Sequence, residues 1–435
     1  MSMKKRECFC LLAGVFALLV LGDAASGEDT RSALTVGTLE TQESLPFDKL
    51  ARDSTLSFNP SPVAQKRSLA FPWLSPLPDA INLHPDVICA LVGYHYSDLP
   101  ALAEKGIIEP LDPLFRELGI DPKAYFLPNV YQAVEWEGHV WAVPHRAETF
   151  VYSLDKAVFN KLGLSTELKT WSEFVTVLER IAASDVIQGK KVTFNSWSLS
   201  IDLIASLCLG FADAAREGSV SRQAADTLFA RCATSKGFQE QGERQSAAIY
   251  LNSLSTVTQT KWVCLAQVPA PSAIDAPGEK GHTLGFLECY ALRKNSPEKR
   301  KAVMDFLRWL LKEETQLALV EASRLDLPAA QMRMKHHHIP LSTPVLSSAG
   351  FDAICNTLPA YRLLAASIAD IGLTPPAQGR NSQLQKVGYN WMEQAVWTGN
   401  VGDIFGALPK LVQELDAAEK NSAATATAGG GLDKY

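Results

Sequence analysis

Residues 84–93 read His-Pro-Asp-Val-Ile-Cys-Ala-Leu-Val-Gly. From Val87 to Val92 the run is apolar without a break. A strand with one wet face alternates apolar and polar side chains, whereas a strand covered on both faces does not. The run therefore predicts a buried strand, entered through Pro85-Asp86 and ended by Gly93. Tyr94-His95-Tyr96 follows, and then a helix over 98–105 that Gly106 stops.

Working outward, the same alternation continues. Residues 32–37 read as an opening strand, and 60–78 are Pro-rich without a clear assignment. Downstream, Trp136-Glu-Gly-His-Val-Trp-Ala-Val-Pro-His-Arg-Ala-Glu-Thr-Phe-Val-Tyr152 suggests two short strands around Pro144. His145, Arg146 and Glu148 interrupt its apolar character. Thr170-Trp-Ser-Glu173 is a capping box, in which the threonine takes an orphan N–H and the glutamate reaches back to the cap. Phe174, Val177, Leu178 and Ile181 then repeat at helical spacing. A short strand at 192–194 leads into the loop 195–198 and an apolar helix near 201–209. Residues 247–251 form another strand, ending at Asn252-Ser253. Ser296-Pro297-Glu298 opens a helix with cap, proline at N1 and an acid in the first turn. Its buried stripe is Val303, Phe306, Leu307, Leu310 and Leu311. Amphipathic helices are expected near 382–397 and 401–417. Strands alternating with helices indicate a layered α/β fold.

The chain has 435 residues and a net charge of −6. Lys4, Lys5 and Arg6 precede an apolar run at 9–21, which is shorter than the roughly 20 residues of a membrane span. Small residues follow, Ala24-Ala25-Ser26-Gly27, so 1–26 reads as a cleavable secretory signal, with a retained anchor as the alternative. Cys8 and Cys10 lie at the front of the apolar run, not at the cleavage site where a lipoprotein would need one. Removing 1–26 takes away three positive and two negative charges and leaves a chain near −7. A mildly acidic chain without a basic cluster argues against nucleic acid or an anionic membrane as partner. Six of the eight cysteines remain. An oxidising compartment permits disulfides, but sequence cannot choose the pairing. Cys89 and Cys208 sit in apolar runs and read as buried thiols. A mature chain of about 400 residues exceeds one core, so two domains are expected. The small, polar, Gly-rich stretch 421–435 reads as a disordered tail.

Catalytic signatures are missing: no G-x-S-x-G, H-E-x-x-H, Gly-rich phosphate loop or C-x-x-C occurs. His336-His-His338 is the one metal-like cluster. Consecutive side chains diverge, so the cluster reads as a solvated loop and not as a metal site. No cofactor is expected.

The order of segments resembles the family-1 extracellular solute-binding proteins of ABC importers, the maltose-binding-protein-like group. His84-Pro-Asp-Val-Ile, followed by Gly106-Ile-Ile-Glu-Pro-Leu-Asp112, is similar to the family's "PDV" strand and the segment after it. Gly138-His-Val-Trp-Ala-Val-Pro144 resembles "G-K-x-Y-A-x-P". Tyr152-Ser-Leu-Asp-Lys156 with Phe159 and Gly163 resembles "Y-N-K-D-x-F-x-x-x-G". Thr170-Trp-Ser-Glu173 matches the "T-W-x-E" helix start, and Lys294-Asn-Ser-Pro-Glu-Lys with Phe306-Leu-Arg-Trp-Leu310 a late helical segment. The resemblance covers about 34–420. Ser153 stands where the family usually has Asn, 60–78 matches poorly, and the stretch between Trp197 and Ala247 is short.

The resemblance implies a two-lobed periplasmic-binding-protein type II fold, with a hinge and a ligand cleft between the lobes. One lobe would hold about 30–150 and 283–328, the other 151–282 and 329–420. Residues 136–152 would approach the first crossing, with His145, Arg146 and Glu148 turned to a polar ligand; the alternative is a structural Arg–Glu pair. Loops at the carboxyl ends of strands supply the other candidates: Glu40, Tyr94, His95, Tyr96, Trp197, Asn252, Asp326 and Arg380. Trp197 and Tyr94 could stack on sugar rings.

The expected function is capture of a small polar ligand, a carbohydrate or polyol, for a membrane permease of the ABC class. Two other classes stay open: a ligand-sensing adaptor on the same fold, and a secreted hydrolase with a carboxylate pair. An anionic ligand such as a sugar phosphate or sugar acid would also suit His, Arg and Glu.

Overall fold

The computed structural model describes residues 34–38, 58–62, 86–93, 96–184, most of 210–234, 249–253, 264–267, 283–294, 297–323, 338–373 and 401–429, with isolated positions between. The secretory signal expected at 1–26, the strand and helix expected at 192–209, and most of the helix expected at 382–397 lie outside the described residues.

Strands β1 (Leu34–Thr38), β2 (Phe58–Pro62), β3 (Val87–Gly93), β4 (Tyr96–Ser97), β5 (Glu135–Trp136), β6 (His139–Val140), β7 (Val143–Leu154), β8 (Ile249–Ser253), β9 (Cys264–Gln267), β10 (Thr283–Leu292) and β11 (Ile371–Gly372) are described. The main sheet runs β2-β1-β3-β10-β7-β8, with β4 on β3, β11 on β10 and β9 on β7. β1 lies parallel to β2 and β3, while β10 is antiparallel to both β3 and β7. All seven residues of β3 are buried, as its unbroken apolar run requires. Pro60 and Pro62 are confined to β2 at the end of the strand order, where a missing N–H is tolerated. Asp86 ties the start of β3 to its surroundings. Its carboxylate accepts from Thr35 N at 2.9 Å and from Lys299 Nζ at 2.7 Å.

The stretch around Pro144 differs from the expected pair of strands. β5 and β6 form a hairpin of their own, turned by Glu137 (φ 54°) and Gly138 (φ 77°). β7 then runs for 12 residues straight through the proline. Pro144 is accommodated because the register shifts there: Arg146 faces Glu288 and Pro144 faces Cys289, leaving His145 as an extra residue. A bulge is a place where a strand can dispense with a ladder donor.

Buried apolar residues gather into two large clusters. The first contains Val36, Ile88, Val92, Phe115, Leu287 and Phe306. The second contains Phe159, Phe174, Phe211, Phe229, Leu408 and Leu411. β7 serves both: Val143, Ala147 and Val151 enter the first, Tyr152 and Leu154 the second. Its hydrogen-bonding partners change at the same place. Residues 143–149 pair with β10, and 150–154 pair with β8 and β9.

Ile339, Leu341, Phe351, Tyr361, Leu364, Ile368 and Ile371 bury in the first cluster, whereas the resemblance implies that 329–420 belongs to the second lobe. Several ties hold this segment there. Leu127 N donates to Leu341 O at 3.1 Å, Asn129 Nδ2 donates to Ile368 O and Ile371 O, and β11 pairs with β10. Trp391 and residues of the last helix join the second cluster instead. That helix, Val401–Gly429, runs into the stretch read as a tail. Alanine-rich sequence is a strong helix former and extends the packed part of the helix.

The helix Trp171–Ala182 follows the capping box as expected. Thr170 Oγ1 accepts from Glu173 N at 3.1 Å, and Glu173 Oε2 accepts from Thr170 N at 3.2 Å. Trp171, Phe174, Val175, Val177, Leu178 and Ile181 form its buried face. Thr170→Ala should lower stability by about 1 kcal/mol; an unchanged urea midpoint would show that the cap contributes nothing. Val303, Phe306, Leu307, Leu310 and Leu311 are all buried, as the stripe on Pro297–Leu310 predicts. Cys89, Cys232, Cys289 and Cys355 are buried, which agrees with the reading of Cys89; Cys208 lies outside the described residues. Among the described residues no helix is long and apolar enough to cross a membrane.

Candidate functional site

The site is built around the first half of β7. Arg146 stands directly opposite Glu288 of β10, and the two side chains form an ion pair. Both are nearly buried, at 9% and 7% exposure. Desolvating two charges is costly, and their direct contact offsets much of that cost. Glu148, two residues along, is 4% exposed.

A transverse row links β7 to the strand read first from the sequence. Glu148 pairs with Phe286, Phe286 with Gly93, and Gly93 with Tyr96. Glu148 and Tyr96 thus occupy one row across four strands, about 14 Å apart at the usual strand spacing. Asn252 of β8 lies opposite Val151, just beyond the point where β7 changes partners. Of the candidates, then, His145, Arg146, Glu148, Tyr96 and Asn252 belong to one sheet. Glu40, Tyr94, His95, Trp197, Asp326 and Arg380 lie outside the described residues.

Behind the bulge is a polar cluster that sequence reasoning missed. The His145 ring lies 4.8 Å from the Tyr290 ring and 5.4 Å from the His338 ring, tilted by 33° and 39°. His338 is buried, which corrects the reading of 336–338 as a solvated loop; His336 and His337 are outside the described residues. Its Nε2 lies 3.0 Å from Gln316 Oε1, and its backbone N donates to Ser323 Oγ at 2.9 Å. Gln316 Nε2 donates to Leu310 O, which turns its Oε1 toward His338. The His338 proton therefore sits on Nε2. Tyr361 OH donates to Ser323 O and closes the cluster. Glu288, Tyr290, Gln316 and His338 carried no local signal except one. Glu288 is a lone charge in the apolar stretch Thr283–Leu292, the counterpart of Arg146 in β7.

Burial, and then the nearby Arg146 guanidinium, push the His338 pKa down from 6.5 to about 3. Below pH 6.5 the unfolded chain's imidazole takes a proton that the folded one refuses until about pH 3. Stability therefore rises with pH across that window and is lost on acidification. Between pH 7.5 and 5 the loss should be roughly 2 kcal/mol. Urea titrations of the wild type and His338→Gln at both values test this, and equal pH slopes would refute it. Among the described residues no group of three or more His, Cys, Asp or Glu could hold a metal ion.

Residues 84–331, more than half of the chain, match the family described as bacterial extracellular solute-binding protein. The chain belongs to that family. This solute-binding protein is 33% identical over 78 residues to the maltotriose-binding protein of Pyrococcus abyssi (strain GE5 / Orsay), a match spanning 18% of this chain and 16% of that relative. Among solved structures it resembles UgpB from Mycobacterium tuberculosis in complex with glycerophosphocholine, with TM-score 0.62 and 15% identity, covering 90% of this chain and 98% of that one. It also resembles the galacto-N-biose-/lacto-N-biose I-binding protein from Bifidobacterium longum in complex with lacto-N-biose, with TM-score 0.57 and 17% identity, covering 92% and 99%. At such identities the likeness concerns the two-lobed fold. In the solute-binding protein described here, β7 is the strand common to both cores.

Proposed function

We propose that this solute-binding protein captures a small polar ligand, foremost a carbohydrate, between its lobes and hands it to an ABC importer permease. The observation that carries this reading is the change of partners along β7. Residues 143–149 pair with β10 and 150–154 with β8 and β9, and the side chains pass from the first core to the second between Val151 and Tyr152, so a ligand held beside Glu148 lies close to both. Only a ligand with different contacts in the open and closed states can drive closure. The sugar ligands of the relatives support the ligand class, and a glycerophosphodiester is the anionic variant to compare.

In this reading the first lobe comprises about 34–150, 283–323 and 338–373, and the second about 151–267 and 391–429. Glu148, Tyr96 and Asn252 flank the ligand, joined by His145 and by Glu40, Tyr94, His95, Trp197, Asp326 and Arg380. Arg146, paired with Glu288, supports the strand from within. The protein binds and does not catalyse, and residues 1–26 direct it out of the cytoplasm.

A thermal-shift screen of the mature chain against sugars, polyols, sugar phosphates and glycerophosphodiesters tests the proposal. A ligand at about 100 times its dissociation constant adds roughly 2.7 kcal/mol. A clear shift with one class, lost in Glu148→Ala, is expected. No shift across the panel by a folded protein would overturn the carbohydrate reading.

A further inference from the structure

We propose that His338 is a positioning residue of the ligand site: its ring holds the bulged His145 and thereby fixes the stretch of β7 that carries Glu148. This rests on the proposed function for its effect on affinity, though not for its effect on the strand.

A bulge has an alternative. If β7 lost the extra residue, its register against β10 would slip by one and every later side chain would change face. His145 would then oppose Glu288 and Arg146 would oppose Leu287, so that Arg146 and Glu148 would turn toward the cluster that now holds Ala147 and Leu287. Something must therefore hold the extra residue. Tyr290 supports the His145 ring from β10 and is itself packed edge-on against Phe306 at 5.7 Å. His338 supports it from a separate segment, and that support is independently fixed. Gln316 and Ser323 anchor His338 by side chain and backbone from the helix Glu313–Ala322 and its end. Arg146, Glu288 and the neutral His338 ring thus form one buried group around the bulge, three residues ahead of Glu148.

A histidine that only fills the core would affect stability alone. His338→Ala removes both the ring and the Gln316 bond, whereas His338→Phe keeps a ring beside His145 and loses only the bond. Both variants should melt at lower temperature than the wild type. Affinity should separate them: in the full mature protein, alanine should weaken binding of the best sugar from the panel by about tenfold, and phenylalanine should restore it to within about threefold. The backbone amide resonances of residues 146–150, recorded without ligand, should shift in the alanine variant and return toward wild type in the phenylalanine variant. If alanine leaves too large a void to fold, His338→Leu fills the space without an aromatic ring and takes its place. Affinity that simply follows melting temperature, or amides that stay put when the ring is removed, would overturn the proposal. Should the wild type bind none of the ligands, the functional reading fails, and the amide shifts alone decide the role of His338.

Discussion

Glu288→Ala is expected to lower unfolding free energy by about 3–5 kcal/mol, because it strands a buried guanidinium. Arg146 stands opposite Glu288 and is nearly buried beside it. Water cannot readily replace the lost carboxylate, so the cost is mainly that of a buried charge deprived of the carboxylate opposite it. The double variant Arg146→Met/Glu288→Leu should recover most of the loss, since apolar partners of similar size carry no such penalty. Urea denaturation of the two single variants and the double would give the coupling directly. If Glu288→Ala cost less than about 1 kcal/mol, the pair would be as weak as a surface pair, and its role in the strand would have to be abandoned. Ligand affinity should fall in the single variants, because the same charge borders the bulge that precedes Glu148.

Gly285→Ala should be nearly as damaging, for a steric reason. A Cβ at this position would lie far inside contact distance of the Glu148 carbonyl oxygen and 3.0 Å from Ile371 Cγ2. One obstacle is backbone, which cannot rotate aside. The strand must move, at about 3 kcal/mol or more. Three strands meet here, since Gly285 pairs with Thr149 while Thr283 and Leu284 pair with β11. The displacement should therefore reach the proposed ligand site, and calorimetric titration should show weaker binding along with the lower melting temperature. Stability within about 0.5 kcal/mol of the wild type would show that the approach is not close.

What was legible in the sequence was what local pattern can encode. The apolar run of β3, the capping box at Thr170 and the stripe on Pro297–Leu310 each depend on neighbours within a few turns, and each folds as read. Pro144 misled because proline usually breaks a strand, and the bulge that admits it is set by the register against β10. The Arg146–Glu288 pair joins residues 142 positions apart, so no spacing rule could find it. His338 looked like part of a polar loop, and only Gln316 and Ser323 explain its burial. The placement of residues 339–371 was hidden for a similar reason: amphipathic helices announce that they need a core, but not which one.

That last placement bears on how the chain is made. The first core joins residues near 34 to residues near 371, with much of the second core's sequence inserted between them. Such long-range closure is slow, and it cannot be completed while the later segment is still being synthesised. A ribosome therefore releases most of this polypeptide before its first core can close. In the exported protein proposed above, a chain whose first core stays open through translation would still be in the state that a secretion channel can thread.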